Sequence, residues 1–297
     1  MASKEMEAAC DLWRGMWPQK DDPTVQDYRE AYDRFTQQFA VPEDVTVEEV
    51  DAGGVPSLWV STPGASANRT IFFLHGGGYV IGRAWNYREL TSHLGRAADA
   101  RALVVDYRLA PENPFPAAVD DAVAAYRWLL GQGVSPESVV VAGDSAGGGL
   151  AVATVMALRD AGNPLPAAVA CLSPWVDLEC SAGSFTSNAA VDPVVQLEGV
   201  RGMADMYLAG QDARSPLASP LHGNLTGLPP MLIHVGTRET LLDDSVNLAE
   251  RARAAGVDVT METVDEAPHV YQLFSSILTE GQESIEQIAQ FIRKHVA

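Results

Sequence analysis

The chain has 297 residues, 47% of them hydrophobic and 20% charged, an ordinary globular composition that suits one large α/β unit or two small domains. Its 39 acidic residues against 20 basic ones leave a formal net charge of −19, which argues against nucleic acid and against stable association with an anionic membrane. Three cysteines, Cys10, Cys171 and Cys180, form no C-x-x-C and no metal spacing, so reduced thiols, no bound metal and a cytoplasmic setting are expected.

Taken in order, the chain opens with Lys4, Glu5 and Glu7, which interrupt any apolar signal core. No apolar run is long enough to span a bilayer. Met6, Cys10, Trp13 and Met16 recur at helical spacing. After the break at Asp21-Asp22-Pro23, Thr24 with Asp27 resembles a capping box ahead of Val25, Tyr28, Tyr32 and Phe35. These two stripes read equally as helices packed on a core and as an adaptable apolar cap. Residues 45–50 and 55–60 read as an antiparallel strand pair around Gly53-Gly54. Residues 70–74 form a buried strand that runs into His75-Gly76-Gly77-Gly78. A helix over 87–97, a strand over 102–107, a Pro-rich loop over 108–116 and a helix over 117–130 follow.

The stretch from Val139 to Leu150 is a β-branched run, then Gly143-Asp144-Ser145-Ala146-Gly147, then an apolar helix over 150–158. After a strand at 167–172, residues 178–215 turn polar and irregular with one helix near 199–208, as in an insertion on top of a sheet. A strand over 229–235, an acidic turn, a helix over 243–255, a strand over 257–263 and a helix over 284–296 complete the chain. Strands alternating with helices predict an α/β fold with a mostly parallel central sheet flanked by helices. Its ligand site belongs at the carboxyl ends of the strands. Two units are expected: cap helices in 1–40, and a domain over 41–297 that carries a cap insertion near 178–215.

Strand, Gly-x-Ser-x-Gly and helix is the context of a nucleophile elbow. Gly143 and Gly147 leave room for the sharp turn, and the helix start aims N–H groups at Ser145 and its surroundings. Serine is a weak nucleophile and needs a base. His269 follows the last strand and comes after the serine and every candidate acid. His93 and His295 fall on surface helices, His222 in a loop, His234 inside a strand and His75 in the Gly-rich loop. An acid must fix the tautomer of His269; Glu239, Asp243, Asp244 and Asp177 all follow strand ends. Glu239 is the first carboxylate after its strand, whereas Asp243 and Asp244 head a helix, where acids have a structural reason to sit. The backbone N–H groups of Gly77, Gly78 and Ala146 suit an oxyanion. A phosphate-binding reading of the same Gly run lacks the Lys-Ser/Thr ending of a P-loop.

His75-Gly76-Gly77-Gly78, Asp106-Tyr107-Arg108-Leu109-Ala110-Pro111-Glu112, Gly143-Asp144-Ser145-Ala146-Gly147-Gly148 and Pro268-His269 occur in one order over about residues 70–270. In these motifs the chain resembles the bacterial hormone-sensitive-lipase-like (family IV) carboxylesterases of the α/β-hydrolase fold. The resemblance implies hydrolysis of short- to medium-chain esters by a serine triad, no cofactor, and a cap made of the N-terminal helices and the insertion. It places the triad acid three positions after Gly236, at Glu239, where the family usually has Asp. Tyr271 keeps an aromatic common after the family's histidine. The substrate pocket is expected to draw on Tyr271, Trp85, Trp13 and Met16. A lactone hydrolase or deacetylase would use the same residues. A non-catalytic small-molecule receptor on this fold would lack the histidine, and a lipid-surface lipase would carry a Lys/Arg-rich interfacial helix face. The expected partner is a small-molecule ester; monomer and homodimer both stay open.

Overall fold

The structure is a computed structural model and describes residues 2–296; residues 1 and 297, the ends of the two expected units, lie outside them. The helices α1 (Lys4–Arg14) and α2 (Val25–Thr36) come first. The Thr24/Asp27 capping box closes in both directions at the start of α2, satisfying two helix-end donors. The strands β1 (Thr46–Asp51), β2 (Pro56–Ser61) and β3 (Ser66–Leu74) lead to α3 (Arg88–Ala98) and β4 (Ala100–Val105). Next come α4 (Ala117–Gly131), β5 (Val139–Asp144), α5 (Ala146–Asp160) and β6 (Ala168–Leu172). The insertion holds α6 (Ser184–Ser187) and α7 (Leu197–Leu208). The chain then forms β7 (Met231–Gly236), α8 (Leu242–Ala254), β8 (Val259–Val264) and α9 (Thr279–His295).

Among the described residues, eight strands make one sheet in the order β1-β2-β4-β3-β5-β6-β7-β8. β1 pairs antiparallel with β2, as expected, and β2 antiparallel with β4; every later pairing is parallel. Strands β5, β6 and β7 are buried at every position. Helices cover both faces there, so these strands need apolar residues on both sides and read as continuous runs. α3 packs on α9, and α4 on α5, as right-handed crossovers place helices on opposite faces.

Among the boundaries that differ from expectation, two helix starts share a reason. α5 starts at Ala146, not at 150, although Gly147, Gly148 and Gly149 are poor helix formers. A Cβ on Gly148 would press on Pro174, and one on Gly149 would overlap the Trp175 carbonyl, so close packing against the segment after β6 outweighs propensity. α9 starts at Thr279 rather than 284, and its first turn includes Gly281, held against Tyr271 and Ser275. β3 also extends back to Ser66 through exposed polar residues at a register shift against β4.

Candidate active site

Ser145 sits between β5 and α5 with φ 52° and ψ −122°, a backbone state that non-glycine residues adopt only under constraint. The constraint comes from both sides. Ser145 N–H donates to the Leu172 carbonyl at 2.8 Å, and Trp175 N–H donates back to the Ser145 carbonyl at 2.9 Å. A side chain on Gly147 would overlap the carbonyls of Leu74 and His75, and one on Gly143 would overlap the Gly147 carbonyl. Ala146, fully buried, is the first residue of α5, where a backbone N–H has no acceptor within its own helix.

The Gly-rich loop after β3 runs beside this elbow. Gly77 has φ 110° and Gly78 φ 61°, and a Cβ on Gly77 would strike the Ile81 carbonyl. The Tyr107 ring stacks on His75 at 4.1 Å, and its hydroxyl donates to the His75 carbonyl at 2.6 Å. Burial holds His75 below the ordinary imidazole pKa, which favours its neutral form. Asp144 joins loop to elbow: its Oδ1 accepts Gly76 N–H at 2.8 Å. Burial pushes the Asp144 carboxyl up to about 7, against the pull of the Tyr87 hydroxyl.

Of the four candidate acids, Glu239 is the one that meets His269. It is wholly buried in the turn after β7, and His269 Nδ1 lies 2.8 Å from its Oε2. Its Oε1 accepts the Ser173 hydroxyl at 2.7 Å and Gly236 N–H. Asp243 instead accepts Ser184 N–H, Asp244 accepts the N–H groups of Val176 and Asp177, and Asp177 holds Ser181 and His222. Burial pushes Glu239 upward, opposed by its hydrogen bond and charge contact with His269. Burial pulls His269 downward, but the hydrogen bond and charge of Glu239 outweigh it and leave His269 above the ordinary imidazole value. With Nδ1 engaged, Nε2 is the ring atom left for proton transfer. Two other histidines have separate partners: His234 Nδ1, inside β7, lies 2.8 Å from Ser284 Oγ, and His93 pairs with Glu89.

Ser173 was missed in the sequence. It takes φ 48° just after β6, donates to Glu239 and accepts Val270 N–H at 3.1 Å. It thereby clamps the acid and the residue after His269 together. The available signal was a serine at the end of a buried strand; the nearby Asp177 drew the reading instead. Asp177, Glu179 and His222 also cluster closely enough to suit a cation among the described residues, yet Ser181, Arg214 and backbone N–H groups already occupy their carboxylates, and none of the three lines the cavity.

Ser145, His269, Gly77 and Gly78 open on one cavity of about 460 Å³. Trp13, Met16, Tyr28 and Tyr32 wall it from the N-terminal helices, and Val195 and Met203 from the insertion. Trp13 and Met16, two of the expected pocket residues, line this cavity. Trp85 and Tyr271 do not, and the expectation is corrected. Trp85 lies in a short turn (Ala84–Tyr87), 39% exposed, with the Arg88 guanidinium 3.8 Å from its ring centroid. The chain bends at Val270 (φ 45°), and Tyr271 is buried outside the cavity with its hydroxyl 3.4 Å from His234.

A Gly-rich loop after β3, a serine elbow after β5 and a histidine after β8, all on one edge of a mostly parallel sheet, define the α/β-hydrolase class. Residues 71–273 match the family model described as alpha/beta hydrolase fold. The chain is 48% identical over 297 residues to an acetyl-hydrolase of Streptomyces hygroscopicus, covering 99% of this chain and 97% of that protein. It superposes with TM-score 0.98 on a solved esterase from the bacterial hormone-sensitive lipase family, at 47% identity and complete coverage of both chains. It also matches the esterase EstE5 soaked with p-nitrophenyl butyrate, with TM-score 0.94, 43% identity and 99% of each chain covered. The chain belongs to the bacterial hormone-sensitive-lipase-like carboxylesterases of the α/β-hydrolase fold.

Proposed function

We propose that this chain hydrolyses uncharged carboxylic esters with short to medium acyl groups through an acyl-enzyme on Ser145. The observation that carries the reading is the buried Glu239–His269 pair at 2.8 Å beside the same cavity as the strained Ser145. His269 Nε2 takes the Ser145 hydroxyl proton as the oxygen attacks the ester carbonyl. The N–H groups of Gly77, Gly78 and Ala146 receive the oxyanion, each donor being worth ~3 kcal/mol in the transition state. His269 returns the proton to the departing alcohol, and water repeats the cycle to release the acid. Glu239 holds the imidazole tautomer and steadies the imidazolium.

The substrate class follows from the walls. The cavity is lined by aromatic and aliphatic side chains on the cap side, with Gln196 the polar cap residue among them, so it favours neutral apolar esters. The butyrate ester soaked into EstE5 and the name of the acetyl-hydrolase relative both point to short acyl groups. Residues 1–40 and 178–215 act as two halves of a cap, since both wall the cavity. Three buried free thiols suit a reducing, cytoplasmic setting.

The test is a rate profile over p-nitrophenyl esters of increasing chain length, a lactone included, with organophosphonate labelling and peptide mapping. Ser145→Ala is expected to lose nearly all turnover while keeping its fold, and the label to sit on Ser145. A label on another serine, with full activity in Ser145→Ala, would overturn the reading.

A further inference from the structure

A chain of buried hydrogen bonds runs from the cap to the Gly-rich loop. Gly76 N–H donates to Asp144 Oδ1 at 2.8 Å and also lies 3.0 Å from the Tyr87 hydroxyl oxygen. Tyr87 donates its proton to Asp144 Oδ2 at 2.8 Å. The Tyr87 oxygen is in turn 2.7 Å from that of Tyr32. A phenol has a single proton. With the Asp144 carboxyl ionised, that of Tyr87 is committed to it, and Tyr32 donates across the short contact. Tyr32, Tyr87 and Asp144 are all buried, and the groups that donate to the carboxylate, Gly76 N–H and Tyr87, are neutral. In such surroundings each donor polarises the next, and an unmade bond is costly.

The geography of the chain matters. Tyr32 belongs to α2 and lines the substrate cavity. Tyr87 ends the turn Ala84–Tyr87, and Asp144 precedes Ser145. A second set of contacts seats α2 on that same turn. Asn86 Nδ2 donates to Asp33 and to Thr36 Oγ1, both at 2.8 Å, and Arg83 pairs with Asp33. At the far end the chain grips Gly76, whose peptide immediately precedes Gly77 and Gly78. Oxyanion donors work only when aimed within a few tenths of an ångström, so the tilt of the Gly76 peptide sets how well its neighbours are aimed.

We propose that Tyr32 is a positioning residue for the oxyanion loop: acting through Tyr87 and Asp144, it fixes the Gly76 peptide, so that seating the cap helix and aligning the Gly77 and Gly78 donors are one event. This rests on the serine-hydrolase reading above and adds a role for the cap beyond enclosing the substrate. A hydroxyl that merely filled the core would affect stability and leave the chemistry alone.

The experiment uses the full chain with Tyr32→Phe, Tyr87→Phe and the double variant, each keeping its aromatic ring. Ester turnover and Ser145 labelling in the unmodified protein come first; their failure removes the serine-hydrolase reading itself. With an active parent, Tyr32→Phe is expected to lower kcat roughly three- to tenfold, with KM changed less than about twofold and the thermal midpoint lowered by no more than a few degrees. Affinity for a trifluoromethyl ketone, whose carbonyl Ser145 Oγ attacks to give a hemiketal oxyanion while His269 takes the serine proton, is expected to fall by the same factor as kcat/KM. The double variant is expected to be no slower than Tyr87→Phe, because Tyr32 acts through Tyr87. Parental kcat in Tyr32→Phe, unchanged ketone affinity, or losses that multiply in the double variant would each overturn the proposal. If Tyr87→Phe does not fold, the ketone affinity of Tyr32→Phe decides alone.

Discussion

Glu239 spends its extra methylene on reach. One oxygen meets His269 while the other meets Ser173 and Gly236, and this fixes the carboxylate plane from two sides. Glu239→Gln keeps the shape but offers His269 an amide, which favours the wrong tautomer. The expected loss in kcat is ~10⁴-fold, as for the comparable change in a serine protease triad, with KM little altered. The pH profile gives a second readout. In the proposed mechanism His269 must be neutral to accept the Ser145 proton, and Glu239 holds it above the ordinary imidazole value. The acid limb of kcat/KM is therefore expected above pH ~6.5, activity falling as pH drops through it. In Glu239→Gln the residual activity should keep its acid limb at lower pH, since the raising charge is gone. An unmoved limb would mean that another group sets it. Glu239 was legible in the sequence because a short turn ties it to the end of a strand. Ser173 and the Tyr32–Tyr87–Asp144 chain were not, because their partners lie 55 to 97 positions away and only the packed fold brings them together.

Among the elements, α1 is bound into the site rather than laid over it. The Trp13 indole N–H donates to the His269 carbonyl at 2.7 Å, and its ring stacks on Phe35 at 4.6 Å and meets Phe274 edge-on at 5.6 Å. Trp13→Phe keeps most of the packing and removes the donor, so a small stability loss with a several-fold lower kcat is expected. Trp13→Ala also leaves a cavity and is expected to cost about 3–5 kcal/mol of stability. Urea unfolding alongside ester kinetics separates the two; a Trp13→Phe protein with parental kcat would show that the His269 carbonyl needs no anchor. The amphipathic stripe that buries Met6, Cys10 and Trp13 was plain in the sequence, since helical period and burial coincide. Its target was not, because an apolar face states that it is covered and not by what.

At the scale of the whole molecule, the alternation of strands and helices was enough to predict a mostly parallel sheet. The placing of β4 between β2 and β3 was not readable, because strand order depends on crossover direction and not on local pattern. Charge acts at this scale too. The ion pairs along the surface, such as Arg96 with Asp44 and Arg14 with Asp11, are exposed and contribute little each. A net charge of −19 repels itself throughout the surface, and salt screens that repulsion. The thermal midpoint is therefore expected to rise by a few degrees between about 0.01 and 0.3 M NaCl. A midpoint that falls instead would mean the surface ion pairs outweigh the repulsion.

The bond between Trp13 and His269 joins positions 256 residues apart. A ribosome makes the indole long before it makes the carbonyl that receives it. At ~5–20 residues per second the interval is on the order of 10–50 s. Throughout it, the apolar stripe of α1 can pack on α2 through the Trp13–Phe35 stack but lacks Phe274 and the His269 carbonyl. In the proposed mechanism the base His269 lies in that late segment, so a nascent chain cannot complete the site until the segment after β8 emerges and the N-terminal helices close on it.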